Sequence, residues 1–155
     1  GPWSRIYGGK FHTCGHRPTG EVECWGDDSE GQLDAPDGPL ALVAVGELSA
    51  CGMTAEGVVS CWGLDIEGLQ SPPQEPFTSL TVGKAHACGI LKGGSVTCWG
   101  SNRSGETDVP AGSTWLTIDA GSGHTCGVTL DGDLGCWGSN EDGEGVAVGQ
   151  ATPPE

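Results

Sequence analysis

The chain has 155 residues; 35% are hydrophobic, 6% are aromatic, 29 positions are glycine, and six Lys and Arg stand against 21 Asp and Glu for a net charge of −15. So negative a field, with no cluster of Lys or Arg to offset it, repels phosphate backbones and excludes nucleic acid as a partner. No apolar run is long enough to insert in a membrane, and so thin an apolar content leaves a weak core that needs covalent support.

From the N-terminus, a β-prone run (Trp3 to Gly8) leads to His12-Thr13-Cys14-Gly15, a turn at Thr19-Gly20, the segment Val22 to Cys24-Trp25-Gly26, and a polar turn with Gly31 followed by prolines. The second copy runs Leu42 to Gly46, Ser49-Ala50-Cys51-Gly52, Glu56-Gly57, Val59 to Cys61-Trp62-Gly63, and Gly68. The third runs Leu80 to Gly83, His86-Ala87-Cys88-Gly89, Gly93-Gly94, Val96 to Cys98-Trp99-Gly100, and Gly105. The fourth runs Trp115 to Gly121, His124-Thr125-Cys126-Gly127, Asp131-Gly132, Leu134 to Cys136-Trp137-Gly138, and Gly143. Each copy predicts strand, turn, strand, turn, strand, loop. The first cysteines of successive copies lie 37, 37 and 38 residues apart, a period that marks a repeat architecture in which each unit buries its apolar face on the next. The whole chain is one repeat domain, 1–155, divided near 1–38, 39–75, 76–112 and 113–155.

In every copy ten residues separate the two cysteines, and glycine follows the midpoint at Gly20, Gly57, Gly94 and Gly132. A three-residue hairpin loop is a type I turn closed by a left-handed residue, the conformation that glycine adopts without a Cβ penalty. With the loop so centred, alternation puts Cys14, His16, Val22 and Cys24 on one face, and likewise Cys51, Met53, Val59, Cys61; Cys88, Ile90, Val96, Cys98; and Cys126, Val128, Leu134, Cys136. Only His16 breaks the apolar set. The opposed cysteines fall at narrow, non-hydrogen-bonded positions, where Cα atoms approach to about 4.5 Å. Eight cysteines allow 105 pairings; the repeat selects the one that staples each hairpin. Disulfides persist in oxidising compartments, so the chain is expected to be secreted or displayed on a cell surface. With no signal peptide it reads as a mature or trimmed ectodomain.

No cofactor, metal site or catalytic constellation emerges. The cysteines are used in bridges, no Cys-x-x-Cys or His-x-x-x-His spacing supports zinc, and no Gly-x-Ser-x-Gly elbow is present. His12, His86 and His124 would have to line a common axis to share a metal; hydrogen bonding to neighbouring backbone is the simpler role. The acidic turns Asp27-Asp28-Ser29-Glu30 and Glu141-Asp142-Gly143-Glu144 lack calcium-loop spacing and fit ordinary turn chemistry. Trp25, Trp62, Trp99 and Trp137 recur at one place and suggest packing between units. Trp3 and Trp115 occupy equivalent places in only two copies. They are therefore candidates for a binding surface, together with the loops that differ between copies, opened by Asp34, Gln70 and Asp108.

The pattern His-Thr-Cys-Gly, Gly-x-Val-x-Cys-Trp-Gly, Asn-x-x-Gly, fullest in His86 to Gly105 and His124 to Gly143, resembles the regulator of chromosome condensation repeat family. It is closest to the disulfide-bearing version found in extracellular proteins, such as crinkly-type plant receptor kinases. The resemblance implies an all-β fold, a β-propeller of four-stranded blades, here four disulfide-stapled blades of about 38 residues. Familiar members close with seven blades, so three arrangements compete: a four-bladed ring, a half-ring completed by a homodimer, or part of a longer array. The expected function is a non-catalytic protein-interaction module that self-assembles or binds a protein partner. The alternatives are a glycan-binding propeller using repeated Trp side chains and a structural spacer.

Overall fold

The computed structural model describes residues 1–142 and 144–154, so the turn glycine Gly143 lies outside the described residues. Twelve strands and no helix are found among them, grouped as four three-stranded antiparallel sheets, each in simple meander order. Blade 1 holds β1 (Arg5–Gly8), β2 (His12–His16) and β3 (Val22–Gly26). Blade 2 holds β4 (Leu42–Val45), β5 (Ser49–Met53) and β6 (Val59–Gly63). Blade 3 holds β7 (Phe77–Val82), β8 (His86–Leu91) and β9 (Val96–Gly100). Blade 4 holds β10 (Trp115–Ala120), β11 (His124–Thr129) and β12 (Leu134–Gly138). The fourth strand that the family resemblance implies is replaced in each blade by irregular loop.

The hairpin register follows from the loop glycines. Gly20, Gly57, Gly94 and Gly132 have φ of 91°, 87°, 88° and 91°. In blade 1 the turn closes through Gly20 N–H to the Arg17 carbonyl and Arg17 N–H to the Glu21 carbonyl, and the other blades repeat the pattern. The cysteines are thereby opposed, with Cα atoms 4.0 to 4.1 Å apart, and the disulfides are Cys14–Cys24, Cys51–Cys61, Cys88–Cys98 and Cys126–Cys136.

Every blade has two unlike faces. One carries the disulfide and its apolar neighbours. The other carries the Trp of Cys-Trp-Gly together with two residues of the first strand, such as Phe77 and Leu80 or Trp115 and Ile118. Strict alternation would send residues three apart to opposite faces; a bulge between Phe77 and Ser79, and between Trp115 and Thr117, returns them to the same one. Over them lies the glycine of Cys-Gly. A Cβ on Gly89 would stand 2.3 Å from the Phe77 ring, and one on Gly127 2.7 Å from Trp115.

The core lies between blades. The disulfide face of one blade packs on the Trp face of the next: Cys14 with Val43 and Trp62, Cys51 and Met53 with Leu80 and Trp99, Cys88 and Ile90 with Ile118 and Trp137. Each buried Trp indole also donates to the loop leaving the preceding blade, Trp62 to the Gln32 carbonyl (3.1 Å), Trp99 to that of Leu69 (3.0 Å) and Trp137 to that of Glu106 (2.9 Å). The array is open among the described residues: Trp25 is 45% exposed where Trp62, Trp99 and Trp137 are 4 to 7% exposed.

Candidate functional site

Three surfaces are candidates, and the first is the Trp face of blade 1. Trp3 tilts against Trp25 with ring centroids 6.1 Å apart, as Phe77 does against Trp99 and Trp115 against Trp137. The pairs in blades 3 and 4 are covered by the preceding blade, whereas Trp3, Trp25 and Ile6 are exposed. With Ser4, Arg5 and Gly15 they line a shallow apolar cavity of about 310 Å³. The Arg17 guanidinium lies 3.8 Å from the centre of the Trp3 ring and pairs with Glu23, an arrangement in which the cation is held by the ring quadrupole.

The second surface is the opening around which the four turns joining first and second strands converge. Gly8 to Lys10, Val45 to Glu47, Val82 to Lys84 and Ala120 to Ser122 line a cavity of about 600 Å³. Lys10 N–H donates to the Glu47 carbonyl, Lys84 N–H to that of Ser122, and the Ser122 hydroxyl donates to the Glu47 carboxylate, reaching from blade 4 to blade 2. His12, His86 and His124 follow these turns but do not converge on one another as ligands; each ring stands beside the turn glycine of its own blade. His86 Nε2 bonds Thr125 Oγ1 at 2.8 Å in the next blade. Burial pushes the His86 imidazole below its ordinary 6.5, against the pull of Glu106 and with the push of His124. Burial lowers His12 in the same way, opposed by Asp27.

The third surface is the set of loops between blades. Asp34, Gln70 and Asp108 are all exposed, one per junction, Asp34 and Asp108 at like positions and Gln70 one residue earlier in its loop, rather than gathered into one site. Gln70 donates to the Gly63 carbonyl and Asp108 accepts from Asn102 Nδ2, so both are engaged within their own loops. Side-chain oxygens of these turns serve the backbone: Asp28, Asp65 and Asn102 each accept the N–H of the residue five positions on. No group of three or more His, Cys, Asp or Glu placed to hold a metal occurs among the described residues.

Trp115 is corrected. Chosen as a surface candidate because only two copies have Trp there, it is 3% exposed, sealed beneath the disulfide face of blade 3. Trp3 lies on the one Trp face that no other blade among the described residues covers. Position in the array, which the repeat alignment hides, decides which Trp is free. His16, the polar exception on the disulfide face, is buried and donates through Nε2 to the Leu40 carbonyl at 2.9 Å, bridging blades 1 and 2.

Comparison with known proteins agrees with this architecture. Residues 77–106 and 116–144 match the model of the Regulator of chromosome condensation (RCC1) repeat. No curated protein matches the chain by sequence. Among solved structures, the ectodomain of the Physcomitrella patens receptor kinase CR4 is similar with a TM-score of 0.77 and 28% identity over 93% of this chain and 42% of that one. The CRINKLY WD40 ectodomain of the Arabidopsis thaliana receptor kinase ACR4 has a TM-score of 0.73 and 33% identity over 86% of this chain and 49% of that one. Prp20p from Saccharomyces cerevisiae superimposes with a TM-score of 0.80 at 17% identity, over 97% of this chain and 47% of that one, a likeness of fold alone. The chain spans less than half the length of each. It is an all-β propeller array of RCC1-like repeats.

Proposed function

We propose that this chain is a secreted or cell-surface β-propeller that works as a non-catalytic protein-interaction module, with self-association as one of its modes. The observation that carries the reading is the division of labour in each repeat: a hairpin fixed by its own disulfide, and an exposed loop whose sequence differs from copy to copy. A rigid scaffold presenting variable loops is the arrangement that recognition uses, and four disulfides with no free cysteine suit an oxidising compartment. The two receptor ectodomains to which the chain is similar support the same compartment. A glycan-binding reading built on repeated Trp platforms loses its support, because three of the four Cys-Trp-Gly tryptophans are buried between blades.

The test is a binding screen against extracellular proteins beside a glycan array, run on the intact chain and on variants with residues 34–39, 70–76 or 108–114 replaced by Gly-Ser linkers of equal length. A protein ligand that is lost with one loop while the melting temperature holds supports the reading. Glycan hits indifferent to loop replacement, with no loop-dependent protein ligand, overturn it.

A further inference from the structure

The opening lined by the turns between first and second strands holds two cations that no carboxylate balances. The residue after each turn glycine is Lys10, Glu47, Lys84 and Ser122 in blade order, around a cavity of about 600 Å³. Among the described residues Arg17 pairs with Glu21 and Glu23 and Arg103 with Glu67, whereas Lys10 and Lys84 form no ion pair. Glu47 is the one carboxylate lining the cavity, and it is engaged: its side chain accepts the Ser122 hydroxyl at 2.7 Å. The other two unpaired cations, Arg5 and Lys92, lie at the opposite, hairpin-loop ends of their blades. We propose that this opening receives a carboxylate side chain carried on a protruding loop of a protein partner, with Lys10 and Lys84 as its anchors. This rests on the reading of the chain as an interaction module and names the chemistry that its opening recognises.

Two further observations say what kind of partner fits. The first is apolar. Phe11 is 61% exposed, and the Lys10 ammonium lies 5.2 Å from the centre of its ring. Its counterparts in the other blades are Leu48, Ala85 and Gly123, so one side of the opening alone carries an aromatic contact beside its cation. An exposed ring next to a cation suits an apolar residue adjoining the incoming carboxylate. The second is the charge around the opening. Third strands end on the same side of each blade as these turns, because His12 pairs with Gly26 and His86 with Gly100. The loops that follow hold Asp27 and Asp28 after blade 1, and Asp65 and Glu67 after blade 2. A cationic centre within an acidic rim therefore admits a lone carboxylate only on a surface that is otherwise basic. The net charge of −15 steers such a surface towards the chain, and the rim repels a uniformly acidic one.

A display library of random constrained peptide loops, panned on the intact 155-residue chain at about 0.15 M salt, tests this. Enriched loops are expected to share one Asp or Glu at a fixed place, an apolar neighbour, and Lys or Arg on either side. Calorimetry with such a loop should show a loss of about tenfold or more on Lys10→Glu or Lys84→Glu, and none on Lys92→Glu at the far end. All three lysines are exposed, and circular dichroism is expected to show the parent fold in each variant. A loop whose carboxylate is exchanged for Lys should lose the parent chain and gain Lys84→Glu. No enrichment, enrichment without a recurring carboxylate, or equal losses from all three lysine variants overturns the proposal. Tight binding of polyglutamate overturns it too, since the rim is there to repel such a chain. A protein ligand lost with a loop between blades, with no peptide that depends on Lys10 and Lys84, refutes this site and leaves the interaction module standing; a lysine-dependent peptide with no loop-dependent protein ligand does the reverse.

Discussion

At Gly46 the chain has no room for a side chain. A Cβ there would lie against the Gly83 carbonyl oxygen of the next blade, 2.1 Å away, and a backbone oxygen cannot swing aside as the end of a side chain can. Gly46→Ala is therefore expected to cost about 1 to 3 kcal/mol through forced backbone displacement. Gly8→Ala, one position earlier in its blade and facing open space, should stay within about 0.5 kcal/mol of the parent. Urea midpoints of the two variants check the pair, and equal shifts would show that glycine as such, not blade contact, matters. His86 carries the pH dependence at this scale. Its folded-state pKa is depressed and that of the unfolded chain returns to the ordinary 6.5, so below that value the unfolded state binds more protons. Its contribution is fully present above pH 6.5 and is lost as pH falls through the folded value. Urea midpoints between pH 7.5 and 5.5 should fall more steeply for the parent than for His86→Gln; parallel lines would clear His86 of the role.

Between blades the Trp residues are not equivalent, although the sequence writes them identically. Trp62→Ala opens a cavity at a buried junction and strands the Gln32 carbonyl, a loss of about 3 to 5 kcal/mol. Trp25→Ala removes a side chain that is half in solvent, and the variant should unfold within about 1 kcal/mol of the parent. Denaturant titration of both measures the contrast, and similar losses would mean that the Trp face of blade 1 is covered after all. The same pair shows what could be read from sequence. Hairpin register, loop glycines and cysteine pairing follow from spacings within about ten residues, where turn geometry leaves few choices, and all of them agree with the structure. Which Trp is exposed depends on contacts about 37 residues away in the neighbouring repeat, and on there being a neighbour. Strict two-residue alternation also hides that Phe77 and Leu80 share a face, because the bulge between them adds a residue that no local propensity announces. Gly15, Gly52, Gly89 and Gly127 are legible in the sequence as a repeat, but their reason, the residue lying over each, belongs to the same long-range packing.

For the whole molecule, the charge and the staples act in opposite directions. A net charge of −15 sets a self-repulsion against the packing of acidic blades on one another. Each of the four disulfides closes its own hairpin, with a sequence separation of 10, and takes conformational freedom from the unfolded chain. At about 0.01 M salt the Debye length of about 30 Å leaves the repulsion between blades in force; at about 0.15 M it shrinks to about 8 Å. The oxidised protein is therefore expected to melt at a higher temperature at the second concentration than at the first. Reduction of all four bridges removes about 2 to 4 kcal/mol for each, more than so small an apolar core can replace, and is expected to unfold the chain at either salt concentration. Circular dichroism melts of the oxidised and reduced protein across a salt series read both results. A melting temperature that falls as salt rises would mean that surface pairs such as Arg17 with Glu23 and Arg103 with Glu67 outweigh the net repulsion.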